Sequence, residues 1–310
     1  MKLHILMSTY NGETYLPEQL DSLLSQTLLE KEGWEVRIVV RDDGSTDSTC
    51  HILQSYAKKD GRIRYEKGEN KGVIESFFDL VDAAGEADYL AFCDQDDVWM
   101  PEKLERAVGM LAEREGDSGR PLLYCGRPLL TDGELKPIKT VWLGEGLRPS
   151  FGNALIENIC VGCTCVINRA LADLLRLGRP SFTLMHDRWC YLLASCFGEV
   201  IYDTETWICY RQHGKNVVGM KKNHFRELAE RIGNYRRKRG GTIRQAEAFL
   251  EFCERFGLAI PKKKRALVYG MANLKKNPGI RLRLVRSKAL YRQRRGDNLL
   301  FKLLILLGEG

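Results

Sequence analysis

No stretch of these 310 residues is long and apolar enough to cross a bilayer; the run Leu299-Leu300-Phe301-Lys302-Leu303-Leu304-Ile305-Leu306-Leu307 is far too short. Lys2 is followed by a strand-like run rather than a long apolar core with a small-residue cleavage site, so the expected location is the cytoplasm. No Gly-Lys-Ser/Thr follows the first strand, which excludes a P-loop. Residues 8–13 lack the Gly-rich, Arg- and Lys-bearing phosphate loop of a sugar-nucleotide pyrophosphorylase. The first strand ends in Ser8-Thr9-Tyr10 rather than Asp-x-Asp, which sets aside a haloacid-dehalogenase-type phosphatase. Ten cysteines are present, but without paired two-residue spacings: Cys160, Cys163 and Cys165 find no matching cluster among Cys190, Cys196 and Cys209. That argues against structural zinc, and for buried thiols in a reducing compartment rather than a disulfide scaffold.

What is present begins with Cys93-Asp94-Gln95-Asp96-Asp97-Val98-Trp99, after the apolar strand-like Tyr89-Leu90-Ala91-Phe92. Three carboxylates at a strand's carboxyl end repel one another unless a cation stands among them. A divalent ion bridging to phosphate makes such a cluster favourable, because hard cations take oxygen ligands. A plainer account is a helix N-terminus with an acidic first turn, since Met100-Pro101-Glu102-Lys103-Leu104 reads as a helix start.

Leu3–Met7 reads as a strand, Ser8-Thr9-Tyr10-Asn11-Gly12-Glu13 as a polar turn, and Leu16, Leu20, Leu23 and Leu24 mark an amphipathic helix. This is the opening half of a nucleotide-binding βαβ unit. A second strand, Val36–Val40, runs into Arg41-Asp42-Asp43-Gly44-Ser45-Thr46-Asp47, and a helix follows from Ser48 to about Ala57. Turn chemistry accounts for Gly44, Ser45 and Thr46. Asp42 and Asp43 sit where open α/β sheets bind ligands, and a carboxylate there suits a base N–H or ribose hydroxyls.

Ser-Thr-Tyr-Asn-Gly at 8–12, Asp-Asp-Gly-Ser-Thr-Asp at 42–47 and Asp-Gln-Asp-Asp-Val-Trp at 94–99 resemble the family-2 inverting glycosyltransferases of the GT-A fold. Val161-Gly162-Cys163-Thr164, Met185-His186-Asp187-Arg188-Trp189 and Tyr210-Arg211-Gln212-His213-Gly214 are similar to the rhamnosyltransferase-like branch, although many relatives carry Glu where His186 stands. The resemblance spans about residues 1–220. It implies a Rossmann-like, mostly parallel sheet and a nucleotide-sugar site built from Ser8, Thr9, Tyr10, Asn11, Glu13, Asp42 and Asp43. Asn70 and Lys71 lie near the nucleotide in this reading, Asp94 belongs to the same site, and Gly162 and Cys163 floor the sugar pocket. Arg211 would face the diphosphate. Mg²⁺ or Mn²⁺ would be held by Asp96, Asp94 and His213, with Asp97 close by. Asp187 would be the base that takes the acceptor's proton, although an acid there serves equally as a helix N-terminal residue. The implied reaction is transfer from a nucleoside-diphosphate sugar, dTDP-L-rhamnose above all, to a saccharide or lipid-linked saccharide of the bacterial surface. A UDP-glucose- or UDP-galactose-type hexosyltransferase and a non-catalytic sugar-nucleotide-binding protein are the alternatives.

Charge divides the chain. Residues 221–310 hold 24 Lys/Arg and 7 Asp/Glu, whereas residues 1–220 hold 24 and 34, a contrast hidden in the net +7. The expected organisation is a catalytic domain at 1–220 and a basic helical extension at 221–310, with helices near 223–239, 242–256, 262–276 and 285–306. The extension lacks a nucleic-acid-binding motif, and the acidic body repels a polyanion. Its basic residues followed by Leu299–Leu307 suit an anionic membrane surface on the inner face of the cell membrane, or packing in a homodimer.

Overall fold

A computed structural model describes residues 1–116, 119–138, 146–213 and 240–309. One eight-stranded sheet dominates, in the order β3-β2-β1-β4-β7-β6-β8-β5. Its strands are β1 (Lys2–Thr9), β2 (Glu35–Asp42), β3 (Ile63–Lys67), β4 (Tyr89–Cys93), β5 (Val98–Trp99), β6 (Leu122–Thr131), β7 (Val166–Asn168) and β8 (Glu199–Arg211). β3, β2, β1 and β4 are mutually parallel. β7 is antiparallel to β4 and β6, and β5 is antiparallel to β8. The buried runs of β1 and β4 carry apolar side chains on both faces, as a covered parallel strand requires.

Helices α1 (Leu16–Leu24), α2 (Thr49–Lys59) and α3 (Val73–Ala83) connect the parallel strands. α4 (Lys103–Glu115), α6 (Arg169–Arg176) and α7 (His186–Phe197) complete the layers, with the short α5 (Phe151–Ile156) between β6 and β7. The chain passes from β1 outward to β2 on one side and later to β4 on the other. Their carboxyl ends therefore open a crevice at the switch in strand order, where open α/β sheets take ligands.

Two compact units emerge. The first comprises 1–146, 160–179 and 185–211; the second comprises 147–159, 180–184 and 212–310. Residues 147–159 and 180–184, expected within the catalytic domain, pack with the carboxyl-terminal helices. Inside the second unit Phe151 meets Phe249 at 5.6 Å between ring centroids, and the Asn153 amide donates to the Tyr291 carbonyl at 3.0 Å. Its helices are α8 (Gly241–Arg255), α9 (Lys262–Ala272), α10 (Pro278–Arg286) and α11 (Arg295–Leu307). α8 and α9 match the expected helices near 242–256 and 262–276. The single helix expected at 285–306 is instead two, separated by Ser287–Arg294: α10 begins earlier, capped by the Asn277 side chain, which accepts from Gly279 N at 2.8 Å with Pro278 in the first turn. The helix expected at 223–239, and the break expected at 220, lie outside the described residues.

Candidate active site

The three loops after β1, β2 and β4 are laced to one another. Asn11, at a positive φ of 49°, accepts from Thr46 N at 2.9 Å, and its own N–H donates to Ser45 Oγ at 2.9 Å. Gly12 N donates to Thr49 Oγ1 at 2.8 Å, and Glu13 accepts from Ser48 N at 2.9 Å. Gln95 bridges Tyr10 twice, accepting from its N–H at 2.8 Å and donating to its carbonyl at 3.0 Å. Gly12 is required by that bridge, since a Cβ there would stand 2.2 Å from Gln95 Oε1. Ser8 Oγ shares a hydrogen bond of 2.7 Å with Ser76 Oγ. Tyr10 itself projects 48% exposed from the loop.

Asp42 and Asp43, expected near base or ribose, are both engaged by neighbouring loops. Asp42, fully buried, accepts from Thr9 Oγ1 at 3.1 Å, Ser45 N at 2.9 Å and the Ser45 hydroxyl, and also meets Cys50 Sγ at 3.3 Å. Asp43 accepts from Lys71 N at 2.9 Å, Gly72 N at 2.8 Å and the Arg41 guanidinium. Both acids hold the loops in shape. The exposed Asn70 and Lys71 sit on the loop that Asp43 organises, and Lys71 Nζ pairs with Asp79 at 2.9 Å.

Below β4 the acids converge. Asp94, Asp97 and Cys163 place their donor atoms within 4.8 Å of one another. Burial, then repulsion from Asp96 and Asp187, pushes the Asp94 carboxyl up to about 7, while the Cys163 thiol pulls it back. Asp97 is raised well above the usual carboxylate range by burial and by Asp96 and Asp94. Asp97 Oδ2 is buried without a hydrogen-bond partner. Crowded carboxylates with one unpartnered oxygen fit a hard divalent cation, which would relieve their mutual repulsion.

Lys103 lies in the same buried region, a residue that sequence reasoning treated only as part of a helix start. It is 1% exposed, its Nζ has no hydrogen-bond partner, and it stands 3.2 Å from the centre of the Trp99 ring. Burial lowers its ammonium to about 8, against the attraction of the Cys93, Cys163 and Cys165 thiols and the Asp97 carboxylate. A lysine four residues after a tryptophan gives no signal that separates it from an ordinary surface lysine.

Arg211, expected at the diphosphate, is 2% exposed and bound within the protein. Its N–H donates to Asp97 Oδ1 at 3.0 Å and its Nε to the Asp96 carbonyl at 2.9 Å. Its terminal nitrogens meet the Gly133 carbonyl and Glu18, and its guanidinium covers the Tyr15 ring at 4.5 Å. Arg211 therefore fixes the acidic loop from beneath. β5, pairing Val98 with Cys209 and Trp99 with Ile208, ties down the other end of that loop. His213 is half-buried and belongs to the second unit.

Asp187 occupies the first turn of α7 and is 7% exposed. Its Oδ1 accepts from Arg188 N at 2.6 Å. Gly162 opens a 3-10 turn, Gly162–Thr164, facing it: a Cβ on Gly162 would lie 3.0 Å from His186 Nε2 and 3.5 Å from Asp187 Oδ2. His186 is stacked on Phe77 at 3.9 Å and meets Phe92 edge-on at 5.2 Å. Burial pushes its imidazole down to about 3, so it is neutral at physiological pH. The structure thus brings Asp94, Asp96, Asp97, Cys163, Gly162 and Asp187 into one neighbourhood.

A family model described as Glycosyl transferase family 2 matches residues 4–173. The dTDP-rhamnosyl transferase RfbG of Shigella flexneri is 27% identical over 248 residues, 75% of this chain and 80% of that protein. Among solved structures, S. aureus TarS residues 1–349 in complex with UDP-GlcNAc superposes with a TM-score of 0.56 at 17% identity, covering 99% of this chain and 91% of that one. The mannosyltransferase PcManGT of Pyrobaculum calidifontis, in complex with GDP-Man and Mn²⁺, gives 0.51 at 16% identity, covering 98% and 80%. At these identities the structural likeness establishes the fold, the GT-A arrangement.

Proposed function

The chain belongs to glycosyl transferase family 2, and from that premise we propose that it is an inverting, metal-dependent enzyme moving L-rhamnose from dTDP-L-rhamnose to a hydroxyl of a bacterial cell-surface polysaccharide or its lipid-linked precursor. That it uses a nucleotide-sugar follows from the family and its named relatives. The choice of rhamnose is supported by the Shigella relative.

The observation that carries the mechanism is the position of Asp187, a buried carboxylate beside the acid cluster and against the glycine of the 3-10 turn. In this reading Asp187 takes the proton of the acceptor hydroxyl as that oxygen bonds to the anomeric carbon. The bond from that carbon to the diphosphate oxygen breaks on the opposite face, inverting the centre. Asp94 and Asp96 would hold Mg²⁺ or Mn²⁺, with Asp97 and Cys163 within reach of Asp94. When bound, the ion offsets charge on the departing diphosphate, as in other metal-assisted transfers. Arg211 acts by holding the acidic loop, and Asp42 and Asp43 by holding the loops against which base and ribose would lie. Gly162 leaves room for the sugar, and the exposed Tyr10 offers a face to the base.

The test is Asp187→Asn, which keeps size but cannot accept a proton. Turnover should fall by roughly 10²–10⁴ while donor affinity stays within a few-fold. Collapse of donor affinity would move Asp187 into the donor site, and absence of any turnover or donor hydrolysis in the unmodified protein would favour a binding protein. A UDP-sugar donor is the second reading, favoured by the UDP-GlcNAc held by the TarS neighbour. Melting shifts with each nucleotide-sugar in the presence of Mn²⁺ separate the two, because a bound ligand raises apparent stability.

A further inference from the structure

α11 presents apolar side chains on two opposite faces. Phe301 and Ile305 are buried inside the second unit at 1% and 0% exposure. Leu299, Leu303, Leu306 and Leu307, one face by helical spacing, are 64%, 50%, 44% and 70% exposed. The inner face alone suffices to dock the helix, so the outer one is surplus to folding. Its orientation is fixed: the Arg281 guanidinium on α10 donates to the carbonyls of Leu274 at 3.0 Å, Lys275 at 3.2 Å and Leu306 at 3.4 Å. Leu282, next to that anchor, is a further exposed leucine.

The charge around this face has one sign. Between residues 281 and 308 every exposed charged side chain is basic: Arg283, Arg286, Lys288, Arg294 and Arg295. The single acid in that span, Asp297, is half-buried. A second copy of this chain meeting it face to face would bring like charges together. A nucleic acid would satisfy the cations but leave the leucines in water. An anionic bilayer satisfies both, with phosphates at the arginines and acyl chains at the leucines.

We propose that the Leu299–Leu303–Leu306–Leu307 face of α11, with its basic surround, is a peripheral docking surface for an anionic lipid bilayer. No helix among the described residues is long and apolar enough to cross a membrane, so the contact is one of lying in the interface. The proposal deepens the functional reading above, in which a lipid-linked acceptor places the reaction at a membrane, but its test does not depend on turnover.

The full-length protein is sedimented with vesicles of phosphatidylcholine alone or with phosphatidylglycerol added, alongside Leu303→Glu/Leu307→Glu. Both substituted side chains are half or more exposed, so the variant should keep its melting temperature and its donor hydrolysis. The proposal expects binding to the phosphatidylglycerol vesicles, at least tenfold weaker binding to the neutral ones, release at high salt, and at least tenfold loss in the double variant. Equal vesicle binding by the variant overturns it. So does an unmodified protein that ignores the vesicles, and if that protein is a dimer which the variant dissociates, the face is a subunit contact instead. Inactivity of the protein towards every donor, with vesicle binding intact, would overturn the transferase reading alone.

Discussion

Replacing Gly162 by alanine tests the active-site reading with the smallest perturbation available, one methyl group. That methyl would lie 3.0 Å from His186 Nε2, 3.3 Å from Cε1 and 3.5 Å from Asp187 Oδ2. The neighbour that must yield is an imidazole 4% exposed, backed by Phe77 stacked at 3.9 Å and by Phe92. It cannot withdraw, so the strain passes along the start of α7 to Asp187. Overpacking of this kind costs about 1–3 kcal/mol. Removing a glycine restricts the unfolded chain and returns roughly 0.4–1 kcal/mol, because the backbone at Gly162 does not need a positive φ. The net cost is therefore between about 0 and 2.6 kcal/mol, a melting shift of at most roughly 10 °C. The effect on rate should be larger than the melting shift implies. A misplacement of 1 Å costs on the order of 10²-fold, so a displacement of a few tenths should lower turnover by about tenfold. Turnover at saturating donor and acceptor, nucleotide affinity by calorimetry and the melting curve are measured on one preparation. Wild-type turnover in a folded Gly162→Ala protein would refute the placement of Asp187 at the reacting atoms, and a loss confined to donor affinity would refute it equally.

Asp96→Ala should abolish transfer with the circular dichroism spectrum unchanged, and EDTA should do the same to the unmodified enzyme; full activity in either case would remove the metal from the reaction. Lys103→Met takes a positive charge out of the buried acid region while keeping most of the side-chain volume, so titration followed by Mn²⁺ electron spin resonance should show several-fold tighter binding. Weaker Mn²⁺ binding in that variant would mean that Lys103 braces the ligands rather than competing with the ion.

Much of the first unit is legible in the sequence because its parallel strands are continuous apolar runs that end in polar turns. β1, β2 and β4 and the helices after the first two can be placed from local pattern alone, and Asp187 can be placed at a helix start. What local pattern cannot show is register across distant segments. The long strand Glu199–Arg211 is one example, since its partner β6 pairs with it from Glu199 to Arg211. The inward commitment of Asp42, Asp43 and Arg211 depends on donors and acceptors up to 193 residues away in the chain, such as Glu18. Cys163 beside Asp94 and Asp97 is likewise a product of the antiparallel return of β7 beside β4, which no spacing in the sequence encodes. The two acids that turn chemistry did not explain are explained by neighbouring loops.

The interleaving of the two units bears on how the chain acquires its structure during synthesis. Residues 147–159 leave the ribosome long before the helices that enclose them: Phe151 waits for Phe249, Asn153 for Tyr291, and Glu157 for Gln293, whose N–H donates to it at 2.7 Å. Until then, Phe151, Leu155 and Ile156, all buried in the finished protein, have no second-unit core to enter. The sheet can close around β1, β2 and β4 early, but the nascent chain carries an unsheltered apolar segment across about a hundred residues of elongation, a window in which chaperone occupancy should peak.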